Sequence, residues 1–251
     1  MNRVKDYRSL AVDLVGWLCN YANDNKIESF VVGVSGGIDS AVSSTLAAKT
    51  GKPVYALGMP LNQSKDQETL SDSHLYWLEC NYPNVKRLKA DLSETYAKLM
   101  TDLTKEFTLE YTGNPMAKAN TKSRLRMVTL YHVAANVNGI VVGTGNKVED
   151  YGVGFYTKYG DGGVDIAPIA DLYKTEVWEL GEYLEVDQRI GDAQPTDGLW
   201  DDSRTDESQL GASYAELEEA METGKGPGVE VLNRFNTLNK HKMEPIPTFK
   251  L

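Results

Sequence analysis

Residues 31–40, VVGVSGGIDS, join a β-branched run to a helical pattern through two adjacent glycines, and no other stretch limits the fold so sharply. Phe30 to Val34 reads as a buried strand, Ile38 to Lys49 as a helix closed by Gly51 and Pro53, and Val54 to Leu57 as the next strand. A strand, a helix and a second strand in that order favour parallel pairing through a crossover. The alternation then repeats. Asp66 to Cys80 predicts a helix, Val85 to Leu88 a short strand, Leu92 to Phe107 a helix, Ala117 to Val137 a long helix and Ile140 to Gly143 a compact apolar strand. With Tyr7 to Tyr21 as an opening helix, the fold class is α/β: a doubly wound, Rossmann-like parallel sheet with helices on both faces, a three-layer α/β/α arrangement.

Beyond Gly160 the periodicity weakens. Asp171 to Leu184 predicts a helix, and Gly191 to Gln209, rich in Asp, Gly and Pro, a functional or mobile loop. Helices near Tyr214 to Met221 and Gly228 to Leu238 precede a tail, KMEPIPTFKL, that lacks the means to fold alone. The 251 residues are read as one elaborated domain with a C-terminal helical lid and tail.

Composition narrows the function. The formal net charge of −10 disfavours a nucleic-acid surface, which needs clustered Lys and Arg. No apolar run reaches the roughly 18 residues of a membrane span, and MNRVKDYRSL lacks a signal-peptide core, so a cytoplasmic protein with no membrane partner is expected. Cys19 and Cys80 match no metal-ligand spacing, and neither a disulfide nor zinc is expected.

In an open parallel sheet ligands sit beyond the carboxyl ends of the strands, which is where the glycines of VVGVSGGIDS fall, just before a helix N-terminus. Free N–H groups there favour an anion. Gly36 and Gly37 allow close approach of phosphate, and Ser35 and Ser40 offer hydroxyl donors. The stretch is not a Walker A loop, having no Gly-Lys-Ser/Thr ending, and it lacks the glycine spacing of a Rossmann fingerprint. Taken alone, it also reads as a glycine turn with Ser35 or Asp39 capping a helix.

SGGIDS resembles the SGGxDS signature of the ATP pyrophosphatase, or adenine nucleotide alpha hydrolase, superfamily, whose members cleave ATP between the α and β phosphates. The later run VVGTGNKVEDYGVGFYTKYGDGGVDIAPIADLYKTEVWEL, with KSRLRM, QPTDGLWDDSRTDESQLGASYAEL and NKHK, is similar to the ammonia-dependent NAD synthetase family. The resemblance runs from the first helix to the tail. It implies a ligase that joins ATP to the nicotinate carboxylate of deamido-NAD, releases pyrophosphate, and lets ammonia displace AMP to give NAD, the last step of NAD biosynthesis.

By match to the family, Asp39 and Glu149 would hold Mg²⁺, and Lys174 would contact ATP phosphates and supply the charge missing from the loop; these three are the candidate catalytic residues. Gly33, Val34, Ser35, Gly36, Gly37, Ile38, Ser40, Thr144 and Thr196 complete the implied ATP site. Arg124, Lys158, Asp165, His241 and Lys242 would grip deamido-NAD. In isolation each has an ordinary reading: a helix cap for Asp39, a solvated loop acid for Glu149, a first-turn lysine for Lys174, a surface charge for Arg124. The DDSRTDES run would be a lid that orders over the site, and Ala117 to Val137 the contact face of a homodimer.

Two departures from the family are visible. The Arg-Leu-Pro stretch and the later Gln associated with adenosine are replaced by Gly58-Met-Pro60 and Asn62-Gln-Ser64, so no adenine contact is assigned there. One extra residue lies between Glu149 and Lys158. Free ammonia is the expected nitrogen donor, because 251 residues leave no room for an attached glutaminase domain; a separate glutaminase partner stays open. Two alternatives also stand: another amidating or thiolating enzyme on the same loop, and a catalytically inactive nucleotide-binding regulator.

Overall fold

Strand β1 (Ser29–Gly33) is apolar on both faces: Phe30 and Val32 enter one hydrophobic cluster and Val31 the other, as the two-residue period of a doubly covered strand requires. In the computed structural model, which describes residues 3–200 and 204–250, β1 pairs in parallel with β2 (Val54–Gly58) and β4 (Gly139–Val142), and β2 with β3 (Val85–Lys89). The order is β3-β2-β1-β4, with Val31 opposite Tyr55 on one side and Val141 on the other. The chain therefore leaves β1 for β2 on one flank and returns as β4 on the opposite flank, which opens a crevice at the carboxyl end of β1.

One face is covered by α1 (Tyr7–Asp24), α2 (Ile38–Lys49), α3 (Lys65–Asn81) and α7 (Lys174–Tyr183), whose Leu18, Leu46, Leu75 and Leu180 meet Phe30 and Val32 in the larger cluster. The other face is covered by α4 (Ser93–Glu106) and α6 (Pro115–Asn136), separated by the single turn α5 (Leu109–Thr112). Ala134 and Leu130 pack with Val31, Leu57 and Val141 there. The expected three layers are found.

The segments beyond β4 differ more from expectation. Glu149 lies within a π-helical turn, Val148–Val153, and not in an irregular loop. Such a turn holds about one residue more than an α-helical one. Asn146 starts it by accepting from the Val148 and Glu149 N–H groups, and Gly154, at φ 62°, ends it where Asn239 leaves no room for a Cβ. The helix expected from Asp171 begins at Lys174, because Tyr173 is extended and its N–H is taken by the Glu176 carboxylate. After α8 (Gln188–Gly191), the polar loop contains α9 (Asp206–Leu210), capped by Thr205. Two helices, α10 (Tyr214–Thr223) and α11 (Val229–Met243), bury Tyr214, Leu217 and Leu232 against Val148 and Val153. The longer α11 carries His241 and Lys242 on its last turn.

Candidate active site

The loop after β1 is shaped by its serines. Ser40 Oγ accepts from the Ser35 N–H and donates to the Gly37 carbonyl, while Ser35 Oγ accepts from the Gly37 N–H. Gly36 has φ 93°, and a Cβ on it would lie 2.6 Å from the Gln67 carbonyl oxygen, so no other residue fits without displacing α3. These contacts hold an open turn at the N-terminus of α2, with Asp39 in the first turn. Unsatisfied N–H groups and the helix dipole make that turn suited to an anion.

Three chain segments far apart in sequence then meet. Lys174 Nζ, only 3% exposed, donates to Asp39 Oδ2 at 2.5 Å and Glu149 Oε1 at 3.1 Å. Burial alone would lower the lysine pKa, but the two carboxylates outweigh it and hold the ammonium above its ordinary range. Asp39 is pushed up by burial and by the charge of Glu149, against the pull of Lys174. A lysine at a helix N-terminus is electrostatically disfavoured, so these carboxylates are what keep it there. Asn146 donates to Asp39 Oδ1, and the Tyr214 hydroxyl donates to Glu149 Oε1 at 2.7 Å. Asp206, also buried, lies 3.3 Å from the same hydroxyl and is raised to about 7 by burial and by Glu149. Tyr214 is raised beyond the ordinary phenol range by burial and these acids, and so stays a neutral donor.

Glu149 Oε2 accepts no hydrogen bond from the described residues. Among those residues no three His, Cys, Asp or Glu side chains converge as a metal site. Two carboxylates with an open oxygen nevertheless suit Mg²⁺, which commonly takes one or two protein carboxylates and completes its shell from water and phosphate.

Every residue expected in the ATP site lines one cavity of about 270 Å³: Gly33 through Ser40, Thr144, Lys174 and Thr196. Its roof is residues 193–199 of the polar loop, anchored by Lys122 Nζ donating to the Leu199 carbonyl and by Asp206 N–H donating to that of Pro195. Of the expected lid run, residues 201–203 lie outside the described residues.

The five residues expected to grip the dinucleotide lie outside this cavity, and four of them adjoin one another. Arg124 donates to the Lys158 carbonyl, Lys158 to the His241 carbonyl, and Lys242 to the Tyr156 carbonyl. Asp165 is apart from them: it accepts from the Tyr131 hydroxyl and the Val141 N–H, fastening β4. Sequence reasoning missed Asn146, Tyr214, Asp206 and Arg126. Only the Asn in GTGN carried a local signal, a helix-cap residue just before an acidic turn.

A parallel sheet whose crevice holds a lysine-free glycine loop and a remote Lys174 bridging two acids defines an adenine nucleotide alpha hydrolase-like protein. The NAD synthase family model matches residues 10–248. An NH(3)-dependent NAD(+) synthetase of Carboxydothermus hydrogenoformans is 38% identical over 231 residues, 91% of this chain and 92% of that one. Among solved structures, an NMN synthetase of Francisella tularensis superposes with a TM-score of 0.87 at 34% identity, covering 99% of this chain and all of that one. An NH3-dependent NAD synthetase of Campylobacter jejuni superposes with a TM-score of 0.74 at 25% identity over 98% of this chain. The chain belongs to the NAD synthase family.

Proposed function

We propose that this protein is an ammonia-dependent carbon–nitrogen ligase that uses ATP to convert the nicotinate carboxylate of deamido-NAD to the amide of NAD. The observation that carries this reading is Lys174 held charged between Asp39 and Glu149 beside an anion-shaped glycine loop, in a chain of this family. A carboxylate oxygen of the acceptor attacks the α-phosphorus, the bond to the β-phosphate oxygen breaks, and pyrophosphate leaves along the loop and the Lys174 ammonium. Ammonia then attacks the acyl carbon, AMP departs with the bonding electrons, and the amide is left after loss of a proton. The residues work by positioning and by countering charge. Mg²⁺, held by Asp39 and Glu149, would supply further positive charge to the phosphates. Arg124, Lys158, His241 and Lys242 would bind the acceptor outside the ATP cavity, and Asp165 would support that subsite through β4. A homodimer formed through α6, whose Met116 and Val128 are exposed, and a cytoplasmic location complete the reading.

A second acceptor is favoured by one observation. The Francisella NMN synthetase superposes better than the Campylobacter NAD synthetase, at 0.87 against 0.74, over comparable lengths. On this reading the acid substrate is nicotinate mononucleotide and the product NMN, by the same chemistry. The two are separated by measuring kcat/KM for deamido-NAD and nicotinate mononucleotide with saturating ATP, Mg²⁺ and ammonium. A preference for the mononucleotide replaces the first reading, and turnover of neither acid rejects both.

A further inference from the structure

Where α7 begins decides whether Lys174 Nζ reaches both Asp39 and Glu149, and that start is held from outside the ATP cavity. A helix of ten residues is marginal in isolation, and its first turn leaves N–H groups that need acceptors. Two glutamates supply them. Glu176 Oε2 accepts from the Tyr173 N–H at 2.8 Å, and Glu218 of α10 accepts from the Thr175 N–H at 3.0 Å and from the Thr175 hydroxyl at 2.7 Å. Glu176 is only 2% exposed, and an anion so deeply buried needs a counter-charge. Arg3, in the segment ahead of α1, provides it. Its Nε donates to Glu176 Oε1 at 3.0 Å and its Nη2 to Glu176 Oε2 at 2.6 Å, the two-pronged contact that a guanidinium makes and an ammonium does not. Among the described residues no other cation lies within ion-pair distance of Glu176.

The same guanidinium holds the residues just before Lys174. Its Nη2 also donates to the Asp171 carbonyl at 2.7 Å, and its Cζ lies 4.2 Å from the centre of the Tyr173 ring. Tyr173 is buried, with Lys147 Nζ 5.3 Å from its ring centre and its hydroxyl donating to Glu222 of α10 at 3.0 Å. Lys147 in turn pairs with Asp171, and its N–H donates to the Leu172 carbonyl. Residues 171–176 are thus tied on three sides: to α10, to the loop that carries Asn146, and to the segment ahead of α1. The first two ties also carry groups of the site itself, Tyr214 and Asn146. Arg3 does not line the cavity, yet its contacts converge on Asp171, Tyr173 and Glu176, which flank Lys174 on both sides. We propose that Arg3 is a positioning residue for the reaction: by gripping Glu176 and Tyr173 it fixes the first turn of α7, and with it the Lys174 ammonium against the phosphates of ATP.

The inference rests on the proposed meeting of Lys174 with ATP phosphates and is tested on the full chain. Arg3→Gln removes the charge and the fork, and Arg3→Lys keeps the charge but offers a single point of contact. Each variant is assayed well below its own melting temperature for kcat/KM of ATP, for KM of ammonium, and for inhibition by inorganic pyrophosphate, the product that Lys174 would hold. A small displacement of a positioned group is enough to cost on the order of tenfold in rate. Arg3→Gln should therefore lower kcat/KM for ATP by about that factor and raise the pyrophosphate inhibition constant similarly, with the KM for ammonium at its wild-type value. Arg3→Lys should fall between the wild type and Arg3→Gln in both. A lowered melting temperature with unchanged kinetic constants, or equal weakening of ammonium and pyrophosphate, overturns the proposal, because a merely structural contact would do that. If Arg3→Gln melts below the assay temperature, Arg3→Lys decides by the same criteria. Failure of the wild type to turn over with ATP would instead reject the proposed function, and calorimetry of ATP and pyrophosphate binding would then test Arg3 separately, with the same weakening expected and equal binding overturning it.

Discussion

Tyr214→Phe removes one oxygen atom from the centre of the site and leaves the ring in place. The ring is 1% exposed, packs edge-on against Trp178 at 6.2 Å and lies 4.8 Å from Lys174 Nζ, so the substitution opens no cavity and keeps the cation–π contact. What is lost is the 2.7 Å hydrogen bond to Glu149 Oε1, a bond to a buried carboxylate, together with the longer 3.3 Å contact to Asp206 Oδ2. Such bonds contribute about 1.5–3 kcal/mol, because the acceptor remains desolvated when its donor goes. For a chain of this length a loss of about 2 kcal/mol lowers the melting temperature by about 4–8 °C. Thermal unfolding by circular dichroism measures this directly, and turnover at saturating ATP, Mg²⁺ and ammonium should fall with it, since Glu149 loses one of the two donors that fix it. A melting temperature unchanged from wild type, together with unchanged kcat, would refute the claim that α10 anchors Glu149 through this hydroxyl.

Asp39→Asn should reduce ATP cleavage by at least about a hundredfold, as for loss of a group that stabilises transition-state charge, while Glu149 still pairs Lys174 and the fold persists; near-normal turnover would remove Asp39 from the site. Gly36→Ala places a Cβ 2.6 Å from the Gln67 carbonyl at φ 93°, and should cost about 1–3 kcal/mol in urea unfolding and weaken ATP binding measured by calorimetry. His74 is buried, bonded to Ser44 Oγ through Nε2, and lowered by burial from 6.5 to about 4, so it folds as the neutral ring. A lowered histidine contributes its stability above its unfolded pKa and loses it as the pH falls from 6.5 toward 4: urea unfolding should show about 2 kcal/mol less stability from this residue at pH 5 than at pH 7. In His74→Gln that part of the pH dependence should vanish, and an unaltered slope would contradict the assignment.

The sheet and its helices were legible because strands and helices carry their own periods. Ile38–Lys49 was read with the bounds it has in the structure, since Gly37 before it and Gly51 and Pro53 after it are local signals. The π-helical turn was not legible: GNKVEDYG has no period of its own, and the turn is fixed by Asn146, Gly154 and the packing of α11. The start of α7 was misplaced by three residues because Asp171 and Leu172 continue the helical pattern, whereas Tyr173 is held extended by Glu176. In the site, the glycine loop is contiguous and so could be read residue by residue. Tyr214 meets Glu149 across 65 residues of sequence and Arg126 meets Gln63 across 63, and each sits in a helix where its type is unremarkable. Such residues reach the cavity only through tertiary contact.

In the proposed function the glycine loop, Asp39, Glu149 and Lys174 cut ATP between the α and β phosphates. Incubation with ATP, Mg²⁺, ammonium and each nicotinate nucleotide, followed by phosphorus NMR, identifies the bond that is cut. The expected products are equal amounts of AMP, pyrophosphate and amide, all dependent on the acid nucleotide. Formation of ADP and inorganic phosphate in step with the amide would contradict it.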